Sequence, residues 1–210
     1  MGEALLPRLR RGRRRRAVSR LTACLAVAAL VLTAGGAAAQ SLRESAETNG
    51  AAIAAEPKRE YFIKAAILYN FAKFTRWPAA AFEDGDAPLR LCVLGVNPFG
   101  KALATIDGKR VGTRLLRTRL IPDLADVGSC HLLFVSTSED AHLDDVLAAT
   151  HDAAILTVAD IPDFSQAGGI ITLKIVDDRT RFLVNRLAAD RAGLVLSAKL
   201  LRLAETVIQD

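Results

Sequence analysis

Between residues 89 and 159 the chain carries four short runs that read as strands: the continuously apolar LRLCVLG (89–95), then RLLRTRLI (114–121), HLLFVS (131–136) and AAILTVA (153–159). Runs of this length bounded by turn residues suit strands buried in a sheet. The segments between them read as helices or turns. Pro98-Phe99-Gly100 leads into a short helix ending near Ile106, and a second helix is expected from about Glu139 to Ala149 with Ser136 or Ser138 as its cap. Strands that alternate with helical crossovers build right-handed βαβ units. The expected fold is therefore α/β, one domain with a mostly parallel central sheet flanked by helices. The last third departs from this pattern. GGIITLKIV, then Asp177-Asp178-Arg179, then TRFLVN predict a C-terminal hairpin, and a helical run from Asn185 through LLRLAETVI closes the chain with a break at Gly193.

Ahead of the first strand lies a concentration of rings. Tyr61, Phe62, Tyr69, Phe71, Phe74 and Trp77 are six of the chain's 11 aromatic residues. Pro57 suits the first position of a helix and Glu60 its first turn, and the helix should end before Pro78. Ile63, Ile67, Phe71 and Phe74 form one stripe of that helix, while Phe62, Ala66 and Tyr69 lie on another side. The apolar surface is thus too wide for a simple amphipathic helix, which implies burial on two sides or sharing with a partner. Trp77 and Pro78 are expected to close the helix and pack onto the sheet.

The N-terminus distorts the overall charge. Residues 8 to 20 hold eight Arg, the uncharged run LTACLAVAALVLTAGGAAA follows, and Ala37-Ala38-Ala39 precedes Gln40. A basic region, an apolar core and an A-x-A site describe a secretory signal peptide over residues 1–39, with cleavage after Ala39. The core from Leu21 to Thr33 is shorter than the roughly 20 residues of a membrane span. Cys24 sits near the start of this core, too early for the lipobox that Leu21-Thr22-Ala23-Cys24 formally resembles. Export by the general or the twin-arginine route is left open. The whole chain has a net charge of +5, but residues 40–210 hold 20 basic and 22 acidic side chains, a net of −2. The basic balance belongs to targeting, so no nucleic-acid footprint is expected in the mature protein. Residues 40–56 read as a flexible leader and 57–210 as the folded domain.

Two cysteines, Cys92 and Cys130, follow the signal segment. An even count in an oxidising compartment favours one disulfide over two buried thiols. The other chemistry-bearing residues carry little pattern. LGVNPFG follows the first strand, where α/β folds often bind phosphates, yet it is neither G-x-G-x-x-G nor a Walker sequence, and Pro98 removes a backbone donor. His131, His142 and His151 lack metal-ligand spacing. Ser136 lacks a G-x-S-x-G elbow. Asp160 and Asp163, in VADIPDF, suit a turn better than acid–base chemistry. No catalytic, cofactor-binding or metal-ligating residue is therefore assigned, and no cofactor is expected.

Five ordered segments together carry a family pattern: KAAILYNFAKFTRWP, LCVLGVNPFG, CHLLFVS, ILTVADIPDFSQAGGIITL and FLVNRLAADRAGLVLSAKLLRLA. Over about residues 59 to 207 the chain resembles the YfiR family of periplasmic proteins, a domain of unknown function. The resemblance implies a periplasmic binding module without catalysis, one that represses a membrane diguanylate cyclase similar to YfiN by binding its periplasmic region. Cyclic di-GMP then stays low and biofilm formation is restrained. It also implies an outer-membrane lipoprotein similar to YfiB that sequesters the repressor, and it leaves a homodimer open. Cys92 and Cys130 match the family's disulfide positions, whereas a second cysteine pair of some members is missing, so redox tuning through that pair does not carry over. The partner-binding residues stay unassigned. Two competing readings are a small-ligand sensor at the carboxyl edge of the sheet, near Asn97 or Asp160, and a hydrolase dependent on Ser136 or Asp160.

Overall fold

Each of the four runs forms a strand of one sheet. The computed structural model describes residues 59–209. The expected signal peptide, its expected cleavage site at Ala39, the expected leader and the expected helix start at Pro57 lie outside the described residues. In chain order come α1 (Arg59–Phe74), β1 (Thr75–Arg76), β2 (Leu89–Leu94), β3 (Arg110–Val111), β4 (Arg114–Ile121), β5 (Leu132–Val135), α2 (Leu143–Thr150) and β6 (Leu156–Ala159). The hairpin β7 (Ile171–Val176) and β8 (Arg179–Asn185) follows, then α3 (Arg186–Arg191), β9 (Val195–Leu196), α4 (Ala198–Leu203) and β10 (Thr206–Ile208). Among these helices none is long and apolar enough to cross a membrane.

The main sheet has eight strands in the order β10-β8-β7-β6-β5-β2-β4-β3. Pairing is parallel from β4 through β2, β5 and β6 to β7, antiparallel within the β7–β8 hairpin and the β3–β4 pair, and parallel again between β8 and β10. Asp177 and Asp178, at φ 49° and 56°, make the hairpin turn, a conformation that short polar side chains tolerate. Register decides which residues share a face. Leu91, Leu132 and Leu156 are aligned and point into one core together with Leu68, Phe71, Phe99 and Phe134. Cys92 and Leu133, one residue on, point into the opposite core with Leu94, Val146 and Phe164. A one-residue slip would exchange the two sets, so burial on both faces holds the register firmly.

Two expectations need correction. The inward face of α1 is Lys64, Ala65, Leu68, Phe71 and Ala72, whereas Ile63 is 45% and Phe62 40% exposed. Lys64 is drawn inward by an ion pair with Asp160, which sets the helix phase about one position away from the purely apolar stripe. The helix is accordingly not buried on two sides. It also ends at Phe74, before a two-residue strand that pairs with β9, rather than at Trp77. Trp77 is half-buried against the core, and its indole N–H donates to the His131 carbonyl at 3.0 Å, so the packing account holds.

The C-terminal run is the other correction. Gly193 (φ 67°) ends α3, with Leu194 N–H bonded to Ala189 C=O and Gly193 N–H to Asp190 C=O, the Schellman arrangement. After α4 the residues Thr206–Ile208 form a strand beside β8 instead of continuing the helix. A three-residue β-branched run fits either state by pattern, and the open edge of β8 decides it. The helix expected at Glu139 starts as a 3-10 turn, Thr137–His142, before α2. Ser136 makes no side-chain cap there, and Ser138 is engaged elsewhere.

Candidate functional site

The topology marks one crevice. The chain leaves β2 for β4 on one side, returns to β5 on the other, and continues outward to β6. In open α/β sheets ligands bind outside the carboxyl ends of the strands at such a reversal. Here that place lies between Gly95–Asn97, after β2, and Ser136–Glu139, after β5. The chain's own groups fill it. Ser138 Oγ accepts from Val96 N–H at 2.9 Å and donates to Glu139 Oε1 at 3.0 Å. Gly95 has φ 81°, and a Cβ added there would collide with the Ser138 and Glu139 side chains. Asn97 Oδ1 accepts from Phe99 N–H at 2.9 Å, a local turn that holds the loop.

Asp160 lies just beyond the carboxyl end of β6. Its Oδ2 is 2.6 Å from Lys64 Nζ, which is also 2.5 Å from Glu60 Oε1 and 4.6 Å from the Tyr61 ring centroid. The Lys64 side chain is 4% and that of Asp160 11% exposed. Burial lowers the affinity of Lys64 for its proton, but hydrogen bonds to Asp160 and Glu60 outweigh it, so the ammonium titrates above the ordinary lysine value. Burial likewise pushes the Tyr61 hydroxyl up. Asp163 takes φ 56° and serves the turn expected of it.

Near the amino end of β5, the disulfide Cys92–Cys130 joins β2 to the end of the 3-10 turn Leu124–Ser129 that leads into β5, with the Cα atoms 5.9 Å apart. Next to it, His131 is buried. Its Nδ1 accepts from Arg90 N–H at 3.1 Å, so Nε2 carries the proton and donates to Ala81 C=O at 2.9 Å. Phe82 stacks on its ring at 4.4 Å, and the Arg114 guanidinium covers the other face of Phe82 at 3.7 Å. Burial pushes the His131 pKa down, and nearby Arg90 and Arg114 act in the same direction. A pocket of about 210 Å³ opens beside this stack, lined among others by Phe82, Glu83, Arg90 and Ser129. Arg90 spans it, bonded to Glu83 at 3.0 Å.

Of the residues named for a hydrolase, Ser136 and Asp160 sit side by side, each following the aligned Val135 and Ala159 at the carboxyl ends of β5 and β6, whereas His131 stands apart from them. His131 and Ser136 stand at opposite ends of β5, about 16 Å apart at roughly 3.3 Å per residue. Asp160 is committed to Lys64, and His142 and His151 are exposed. Among the described residues no cluster of His, Cys, Asp and Glu could hold a metal ion. Pattern reading missed Lys64, Phe82, Arg90 and Arg114. Only Lys64 left a trace, as a charge on the face shared with the apolar Leu68, Phe71 and Ala72.

Residues 61–205 match the family described as YfiR/HmsC-like, a domain of unknown function (DUF4154). The chain belongs to the YfiR/HmsC-like family. The two disulfide cysteines and all but the first two residues of α1 fall inside the matched span of this YfiR/HmsC-like chain. No curated protein matches the sequence. Among solved structures, a conserved domain protein from Vibrio cholerae O1 biovar El Tor is similar at 12% identity and TM-score 0.40, over 56% of this chain and 54% of that one. An ABC domain in complex with L-Trp from Streptococcus pneumoniae is similar at 10% identity and TM-score 0.45, over 67% of this chain and 60% of the other. The chain thus spans a little over half the length of these structures.

Proposed function

We propose that this protein is a periplasmic, non-enzymatic binding module that represses a membrane diguanylate cyclase by occupying its periplasmic region. The observation that carries the reading is the family match across residues 61–205. The filled crevice at the carboxyl edge supports a protein partner over a small-ligand sensor, because Ser138 and Glu139 already occupy the place a ligand would take. Repression requires that the module bind the inactive state of the cyclase more tightly than the active one, since only differential affinity shifts such an equilibrium. An outer-membrane lipoprotein that competes for the module would relieve the block. The test is cellular cyclic di-GMP with and without the gene, complemented by the full chain with its signal segment. A rise on deletion that complementation reverses supports repression. Unchanged levels under several growth conditions overturn it. Hydrolytic activity lost on Ser136→Ala or Asp160→Asn, with the fold intact, would overturn the non-enzymatic part.

A further inference from the structure

Charge is unevenly distributed on this domain. Residues 108–120, GKRVGTRLLRTRL, hold five basic and no acidic residues, within a mature chain whose expected net charge is negative. They form β3 and β4, the outer edge of the sheet on the side away from the C-terminal hairpin. Lys109 and Arg110 have no acidic partner among the described residues, and both are exposed. Lys109 lies 5.6 Å from the Tyr69 ring centroid, whose hydroxyl donates to Arg110 C=O at 2.8 Å.

The same edge is incompletely paired. Only Arg114 and Leu115 of β4 face β3. Leu116 N–H is bonded to Lys109 C=O at 2.8 Å, and Thr118 N–H to Asp107 Oδ1 at 2.7 Å, so alternate residues from 116 onward turn their backbone groups outward. By that alternation Leu120 also presents its N–H and C=O outward, with no partner among the described residues, beneath a side chain that is 53% exposed. The edge already binds one carboxylate. Asp107 accepts from Thr118 N–H and Thr118 Oγ1, and its second oxygen sits 3.3 Å from Arg117 Nη1. The Thr118 backbone bond, followed by the Thr118 hydroxyl and Arg117, holds this carboxyl below the usual range.

We propose that the β3–β4 edge docks an acidic, extended segment of a protein partner, which pairs with the Thr118 carbonyl and the backbone of Leu120 and sets its carboxylates against Lys109 and Arg110, with Arg119, held 3.5 Å from Asp126, adding to the basic field. Main-chain bonds at a sheet edge supply the affinity of such a strand, and the flanking side chains select it. A second copy of this chain is the wrong occupant, because antiparallel pairing of two β4 strands along their open residues sets Arg117 and Arg119 against one another, and like charges directly opposed destabilise a pair. The inference rests on the reading above insofar as the partner is a membrane signalling protein, but the surface is defined without it.

The experiment places a photocrosslinking amino acid at Leu120 of the full chain, with a control at the exposed Leu203, and maps adducts formed in cells by mass spectrometry. The expected result is an adduct from position 120, absent from 203, that joins a partner segment richer in Asp and Glu than in Lys and Arg. Lys109→Glu with Arg110→Glu should cut that adduct about tenfold or more while unfolding of the variant matches the parent. Adducts between two copies of the chain, no adduct at position 120, or a yield indifferent to charge reversal would each overturn the docking surface. A charge-sensitive acidic adduct to a protein that is neither a cyclase nor an outer-membrane lipoprotein would keep the surface and remove the repressor reading.

Discussion

Asp160→Ala removes one partner of an ion pair whose other member cannot reach water. The Lys64 side chain is 4% exposed and emerges from the inward face of α1, so its ammonium would be left with Glu60 alone, a carboxylate that is one-third exposed. Breaking a buried pair from one side costs about 3 to 5 kcal/mol. Glu60, 2.5 Å from Nζ, retains part of the compensation, which puts the expected loss near the lower limit, about 3 kcal/mol. For a domain of this size that is a fall in Tm of about 6 to 12 °C. The assay is urea unfolding of the oxidised mature protein, followed by the fluorescence of Trp77, the single tryptophan of the chain. A double variant, Lys64→Met with Asp160→Asn, removes both charges and should be more stable than Asp160→Ala, because no ammonium is then stranded. If Asp160→Ala cost under about 1 kcal/mol, the size of a surface pair, or if the double variant were the least stable of the set, the buried-pair argument would be refuted.

Three further outcomes follow from the geometry. Cys92→Ala, like reduction of the disulfide, should lower stability by about 4 kcal/mol in the chain-entropy model for a separation of 38 residues, read as a shift in urea midpoint; coincident curves with and without reductant would refute it. His131 has a folded pKa below its unfolded value, so the unfolded chain binds the extra proton first and stability rises with pH across that interval. Its contribution should be complete above about pH 6.5 and decline as pH falls below that, and His131→Gln should flatten the pH dependence; parallel profiles of parent and variant would count against a neutral buried imidazole. Gly169→Ala drives a methyl group into the ring of the fully buried Phe164, and overpacking of that kind costs about 1 to 3 kcal/mol; an unchanged Tm would show that the ring can yield.

β2, β5 and β6 were legible because burial on both faces makes a parallel strand nearly all apolar over a bounded length, and the half-exposed, Arg-bearing β4 still agrees with the run 114–121 residue for residue. The hairpin was legible from the Asp177-Asp178 turn. The C-terminal strand was not, since Thr206–Ile208 pairs with a neighbour more than 20 residues away in sequence, and nothing local distinguishes it from a helix end. Of the two places weighed for ligands, Asn97 and Asp160 both reach the carboxyl edge, but their side chains are bound to their own chain.

Sequence alone determined the α/β class, the succession of strands, the family pattern and the two cysteines available for pairing, because each depends on local periodicity or on residue identity. Tertiary structure alone decided the phase of α1, the burial of Lys64, the neutral state of His131 and the filling of the crevice by Ser138 and Glu139. Each of these depends on partners distant in the chain: Asp160 lies 96 residues from Lys64, and Ala81 lies 50 from His131. A buried charge or imidazole keeps its place only where such a partner replaces water, and spacing along one strand of sequence does not reveal which partner arrives.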